Sequence, residues 1–513
     1  MTVSIQADTE GAQEVTEHRF RFCCFGNFSG STQQRAELRT LKLGLNQWDT
    51  LFRSLTPTLT LPVSLPGVSD LEIEIVFTAL GDFHGKGLTA RVPLLGQLTE
   101  LAERAGAASE EEPLPLSEFR KNRPELEFLN RLAATAGGQT IDLLSMVDLG
   151  GEEEDTLHLP GVKALFQQDS YTGEKRTALV NEIQSVKNMI LDQLQNNEAL
   201  QKLHGLWRGL KLMLPYLRES RLDVDLVDCL KDELCDATYL LFLKPDRGSP
   251  QTLDLAFYAY AFDHGEADRH IVYHLGRMAE HLRVPFILEA DLGLFRCRNW
   301  THLSHVSDLD ARLMDAAHIK WRKLREEPGS QWLFMAVNPI QAEGAAEAGI
   351  GAAFVPALLC AQFIRDSGWP GELMGLLARL DLQMKPLANL SESARQDLAY
   401  HGFCPVIGRD EGVVGLAGMT CFGHIKVPAR DQQRAAAVVE YTLPYRFFSG
   451  CCSRFLERLP SSLDRAAALR AFVGVRSPEQ IEYEHQQEGH WFRIKPPFTI
   501  LGVQADLVIH LPH

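Results

Sequence analysis

Two histidines four residues apart, His270 and His274, are the first residues whose types and spacing could do chemistry. On a helix that spacing sets both imidazoles on one face, where they can share a metal ion. A zinc-protease motif also needs Glu beside the first His, and Ile271 stands there. His264 and His281 lie nearby, but spacing fixes no acidic ligand. Surface or capping histidines explain the set more simply. A metal-dependent enzyme using His264, His270 and His274 stays open as the reading from another class. Gly349-Ile350-Gly351 is half of a dinucleotide fingerprint, with Phe354 in the third glycine's place and no clear strand read ahead of it. Residues 173–175 lack the earlier Gly and the following Ser/Thr of a phosphate loop. In residues 26–30 (GNFSG) Ser29 is displaced by one from a nucleophile elbow. With no paired carboxylates and no Cys/His arrangement, the residues argue for neither catalysis nor a cofactor.

Composition narrows the classes further. The chain has 513 residues and a net charge of −16, which disfavours nucleic acid, because neutralising phosphates takes clustered Lys and Arg. Its 45% apolar and 23% charged content are those of a globular protein of two to four domains. The longest uncharged run, residues 348–364, is shorter than the roughly 20 residues a membrane span needs. The N-terminus has neither the basic nor the apolar region of a signal peptide. These features predict a cytoplasmic protein without membrane insertion. Ten scattered or vicinal cysteines with no CxxC pair predict reduced thiols in the core.

The elements that would position these residues alternate between helix and strand, a mixed α/β (α+β) pattern. Strands are expected at residues 2–7, 19–25, 71–78, 223–227, 239–244, 253–262, 285–289, 403–406 and 413–420. Helices are expected at 41–55 with Asn46 as N-cap, and at 92–105, 117–136, 177–217, 268–281, 307–326, 352–367, 391–400 and 435–459. The divisions that follow are an N-terminal linker strand (1–18), a small α/β domain (19–106), an acidic Pro/Gly-containing linker (107–176), a larger α/β domain (177–488) and C-terminal linker strands (489–513). That last stretch reads as two strands, 490–494 and 504–511, the second alternating apolar with polar residues. Two strands alone are marginal in water, and an unpaired edge can recruit a strand from another chain. The tail and the strand at 2–7 are therefore expected to link subunits into a polymer.

Taken in order, several segments resemble the contractile-sheath proteins of type VI secretion systems, with the small (TssB-like) and large (TssC-like) subunits fused in one chain. Residues 2–7, 19–30, 41–63 and 71–95 are similar to the small subunit, most tellingly at Gly81-Asp82-Phe83-His84 followed by Arg91-Val92-Pro93. Residues 196–214, 231–234, 282–295, 320–335, 367–370, 397–422, 440–459 and 489–512 are similar to the large one. The resemblance implies a structural subunit with no active site. Copies would stack in a helical tube around an inner-tube protein, join a baseplate, and be dismantled by a AAA+ recycling ATPase. It also implies that terminal strands of neighbouring copies complete a shared sheet. Val3, Ile5, Trp491, Ile494, Val503, Leu507 and Ile509 are the candidate pairing positions. Trp207, Arg208, Lys320, Arg322 and Arg325 are candidate interface or core residues. Two departures, a short segment after Met335 and a chain shorter than two such subunits combined, imply a reduced outer projection. A non-contractile scaffold or a baseplate-like adaptor is the alternative.

Overall fold

The computed structural model describes residues 19–33, 38–65, 68–107, 174–218, 221–244, 252–342, 349–367, 379–425, 439–460, 464–473, 481–486, 489–495, 499–500, 503–504 and 506–512. The expected elements at 2–7 and 117–136 lie outside them. The chain divides into two compact units, Met1–Leu51 with Gly205–His513, and Phe52–His204.

The first described strand is β1 (Phe20–Gly26), followed by β2 (Arg39–Leu43). A 3-10 turn at Leu45–Gln47 then leads into α1 (Trp48–Leu55). The single helix expected over 41–55 is therefore split, and Asn46 lies inside the turn with Gly44 as its N-cap. Leu41 and Leu43 alternate as well as they repeat helically, and pairing with a neighbouring strand decides between the two. A hairpin follows, β3 (Thr58–Leu65) and β4 (Val68–Val76). β3 was not anticipated, although its burial alternates strictly. Helices α2 (Gly85–Arg91), α3 (Pro93–Ala107), α4 (Glu174–Gln195) and α5 (Glu198–Leu217) come next, the last two parted at Asn196-Asn197 where one helix was expected.

In the Phe52–His204 unit, α4 packs on α3 and β3. Its apolar stripe of Leu179, Ile183, Val186, Ile190 and Leu194 is buried, as a helix with one core-facing side requires. Gln193 exchanges two hydrogen bonds with the backbone of Ser64, at 2.6 and 2.8 Å. The Gly81–His84 step is a capped turn. Asp82 Oδ2 accepts from the amides of Thr78 (2.7 Å) and Ala79 (3.0 Å) and pairs with Arg91 Nε at 2.9 Å. Burial alone would raise the Asp82 carboxyl, but these donors hold it below the usual range.

Beyond α5 the chain makes β5 (Leu222–Asp228), α6 (Leu234–Phe242), β6 (Leu255–Phe262), α7 (Glu266–Leu282) and β7 (Phe286–Ala290). The strand expected at 239–244 is the end of helix α6. Its short apolar run suits either period, and Leu234, Ala237, Thr238 and Phe242 bury at helical spacing. α8 (Trp300–Ser304) comes next, and α9 (Leu309–Met314) and α10 (Ile319–Leu324), with a 3-10 turn between them, replace the single helix expected over 307–326. Next come β8 (Leu333–Val337), β9 (Ile340–Ala342), α11 (Phe354–Ser367), β10 (Leu380–Asp381), β11 (Met384–Pro386), α12 (Glu392–Tyr400), β12 (Phe403–Asp410) and β13 (Val413–Leu416). The chain closes with α13 (Leu443–Arg458), α14 (Arg465–Val473), β14 (Ile481–Gln486), β15 (Gly489–Ile494), β16 (Thr499–Ile500), β17 (Val503–Gln504) and β18 (Leu507–Pro512).

Nine strands join in one sheet, ordered β10-β13-β12-β8-β7-β6-β1-β5-β2. From β12 to β5 every pairing is parallel, and the two edges are antiparallel. Parallel strands covered on both faces read as continuous apolar runs, as in FRFCCF of β1 and FILEA of β7. β1 lies between β5 and β6 and is buried along almost its whole length. All ten cysteines are free, nine of them buried, in agreement with the expectation of core thiols. Among the described residues no helix is long and apolar enough to cross a membrane.

Candidate functional site: the carboxy-terminal sheet and its surroundings

The C-terminal strands form their own three-stranded antiparallel sheet, ordered β14-β15-β18. The expectation that residues 489–511 lack a local partner is corrected by β14, which pairs with β15 from Ile481↔Ile494 to Gln486↔Gly489. The polar sequence IEYEHQ hid it, because five of its six side chains are exposed. β15 is thus paired on both sides within its own chain. Ile494, Leu507 and Ile509 are buried in a small core with Phe492, Tyr445, Phe448, Cys452 and Leu469, supplied by β15, α13 and α14. Trp491 is on the other face, half-buried, its ring stacked 4.2 Å from that of His510. Val503 belongs to β17, which pairs with β16. Val3 and Ile5 lie outside the described residues.

What remains open on this sheet is its edges. On the β18 side the Val508 amide donates to the Tyr445 hydroxyl at 3.2 Å, so α13 covers part of that edge. Opposed residues in an antiparallel ladder either exchange both bonds or turn both away. Val508 turns away from β15, so Arg493 opposite it turns toward β14 and Glu482. One residue on, the Tyr483 amide therefore faces outward along an exposed, charged strand.

The remaining candidates fall into the interior or stay at the surface. Trp207 is fully buried, donates from Nε1 to the Phe28 carbonyl at 3.0 Å, and meets Phe28 and Trp48 edge-on. Arg208, next along α5, is half-buried. α5 comes so close to the turn after β9 that a Cβ on Gly205 would stand 2.1 Å from the Gly349 carbonyl oxygen. The Gly349–Gly351 segment is therefore a packing turn, and β8 and β9 precede it where no strand was read. Arg325 is buried, donates to the Phe422 carbonyl at 2.9 Å, and is pushed down by burial to about 10. Arg322 reaches the carbonyls of Leu313 and Asp315 at 3.1 and 2.8 Å, and Lys320 is exposed. His270 and His274 face each other on α7, rings 4.4 Å apart, while His264 stacks instead on His318. Burial, with help from His270 and Arg277, holds His274 below its ordinary value. No group of three or more metal-ligating side chains assembles among the described residues.

His401 carries a pH dependence. Its side chain is 4% exposed and its Nε2 is 2.7 Å from Asp310 Oδ1. Burial outweighs the attraction of Asp310 and Asp397, Arg325 adds repulsion, and the pKa falls below 6.5. The unfolded chain then binds more protons between the folded value and about 6.5. The stabilisation is complete above that window and is lost as the pH falls through it. Chemical denaturation at pH 7 and pH 5 should show lower stability at pH 5, with a smaller difference in His401→Asn.

The fold and these surfaces define a mixed α/β protein that presents a small sheet with an exposed edge. Residues 251–342, which run from β6 to β9, match the family model of VipB (EvpB/VC_A0108, tail sheath N-terminal domain). The match supports a structural subunit of a type VI sheath and does not extend to a fusion of two sheath subunits. No curated protein matches the chain.

Proposed function

We propose that this protein is a self-assembling sheath subunit whose copies join by exchanging terminal strands into a helical tube around an inner-tube protein. The observation that carries the reading is the exposed β14 edge of a small sheet, on a chain whose β6–β9 region matches a tail-sheath domain. A strand from a neighbour's N-terminus, with Val3 and Ile5 in register, would add there by main-chain bonding. Such a contact joins unlike surfaces and so propagates into rings or filaments. Ile494, Leu507 and Ile509 would hold the receiving sheet on its own subunit, with Trp491 on its other face and Val503 in the neighbouring β16–β17 pair.

The reading extends to both sheath parts in one chain, over residues 19–106 and 177–488, with 1–18, 107–176 and 489–513 as linkers. β1 from the first part lies between β5 and β6 from the second, and neither part would complete the sheet alone. A cytoplasmic location, a baseplate contact and recycling by a AAA+ ATPase follow from the same proposal, with Lys320 and Arg208 as surface positions for such partners.

Electron microscopy of the purified protein tests this reading, with tubes or rings expected and monodisperse particles overturning it. Deleting residues 1–10 should abolish assembly and leave the melting curve of the subunit nearly unchanged. Tyr483→Pro should do the same, because proline removes an outward amide at an edge that tolerates it. Assembly that survives both changes excludes strand exchange at this edge.

A further inference from the structure

Two imidazoles from distant parts of the chain meet at the carboxyl end of the central strands. His264 follows β6, and His318 closes a 3-10 turn ahead of α10. Their ring centroids are 4.7 Å apart. His318 is wholly buried, and its Nε2 is 2.9 Å from the carbonyl oxygen of Leu294, in the turn after β7. A carbonyl can only accept, so Nε2 carries the proton and Nδ1 a bare lone pair. That Nδ1 is buried without a hydrogen-bond partner, and so is Nδ1 of His264.

We propose that His264 and His318 bind one transition-metal ion of the Zn2+ class through their Nδ1 atoms, with water in the remaining positions. Metal-binding histidines almost always donate their other ring N–H to a carbonyl or carboxylate, which orients the ring and fixes the tautomer. His318 has that arrangement with Leu294. Two imidazoles sharing a metal at about 2.0–2.1 Å have ring centroids roughly 5 Å apart at tetrahedral angles, close to the separation observed. Ligands of parallel α/β sheets gather beyond the carboxyl ends of the strands, where both rings lie. No third His, Cys, Asp or Glu joins them among the described residues, so water would fill the remaining positions on the ion.

The test uses the full chain carrying His270→Gln, His274→Gln and His485→Gln, which breaks the close histidine pairs His270–His274 on α7 and His485–His490 on the tail sheet. Zinc bound after dialysis against low-micromolar Zn2+ is counted, and melting curves are recorded with and without the metal. Adding His264→Gln or His318→Gln should remove about one zinc per chain together with the zinc-induced rise in melting temperature. His264 is half-exposed, so its variant carries the test should His318→Gln fail to fold. An unchanged zinc count and an unchanged thermal shift in His264→Gln, or no zinc on the parent, would overturn the proposal.

Discussion

Asp254→Ala should lower the stability of the Met1–Leu51/Gly205–His513 unit by about 3–5 kcal/mol, the usual effect of removing one partner from a buried ion pair. Asp254 precedes β6 and is fully buried. Its Oδ1 accepts from Arg454 Nη2 on α13 at 2.8 Å, and its Oδ2 accepts from the Arg21 amide of β1 at 2.9 Å. Arg454 also donates to the Arg283 carbonyl, which ties α13 to the end of α7. Burial alone would lower the Arg454 pKa, but Asp254, together with Cys451 and Glu457, raises it above the ordinary value. Alanine at 254 leaves that guanidinium inside without its counter-charge. In Asp254→Ala/Arg454→Met the stranded charge is gone, and much of the lost stability should return. Urea midpoints for the two single variants and the double variant measure the coupling. Single-variant losses that simply add would show that the pair contributes nothing as a pair.

The second large effect is expected at Trp207. Trp207→Ala should cost about 3–5 kcal/mol by opening a cavity against Phe28 and Trp48. It also leaves the Phe28 carbonyl without the indole donor at 3.0 Å. Trp207→Phe keeps most of the ring volume and removes only the N–H, so its loss should be nearer 1–3 kcal/mol. Denaturation of the three proteins by urea, followed by circular dichroism, separates the packing and hydrogen-bond contributions. A Trp207→Phe variant as unstable as Trp207→Ala would assign the whole effect to the hydrogen bond.

Several elements were legible in the residues because the local signal and the final burial agree. The stripe of α4, the apolar runs of β1 and β7 and the alternation of β4 all name their own period. The half-open tail was read as two strands, and β15 and β18 are paired strands. Its third strand was not read, because IEYEHQ buries a single side chain and its identity as a strand comes from bonding to β15. The helix expected over 41–55 failed for a related reason: the pairing of β2 with β5 outweighs a spacing compatible with either form. Residues 239–244 show the opposite outcome, a β-like run claimed by the helical burial of α6.

The motif histidines divide in the same way. Spacing along α7 was enough to bring His270 and His274 together. His264 and His318, 54 positions apart in the chain, meet only because β6, β7 and the turns after them end side by side. By itself the sequence determined the class of the protein, its long periodic elements and its thiol-bearing core, since each depends on composition or on neighbours a few residues away. The insertion of β1 between β5 and β6, the closing of the tail sheet by β14 and the Asp254–Arg454 pair were decided by the tertiary structure. Each joins segments that are remote in the chain, or pairs a polar strand through its backbone, and no local period encodes such a contact.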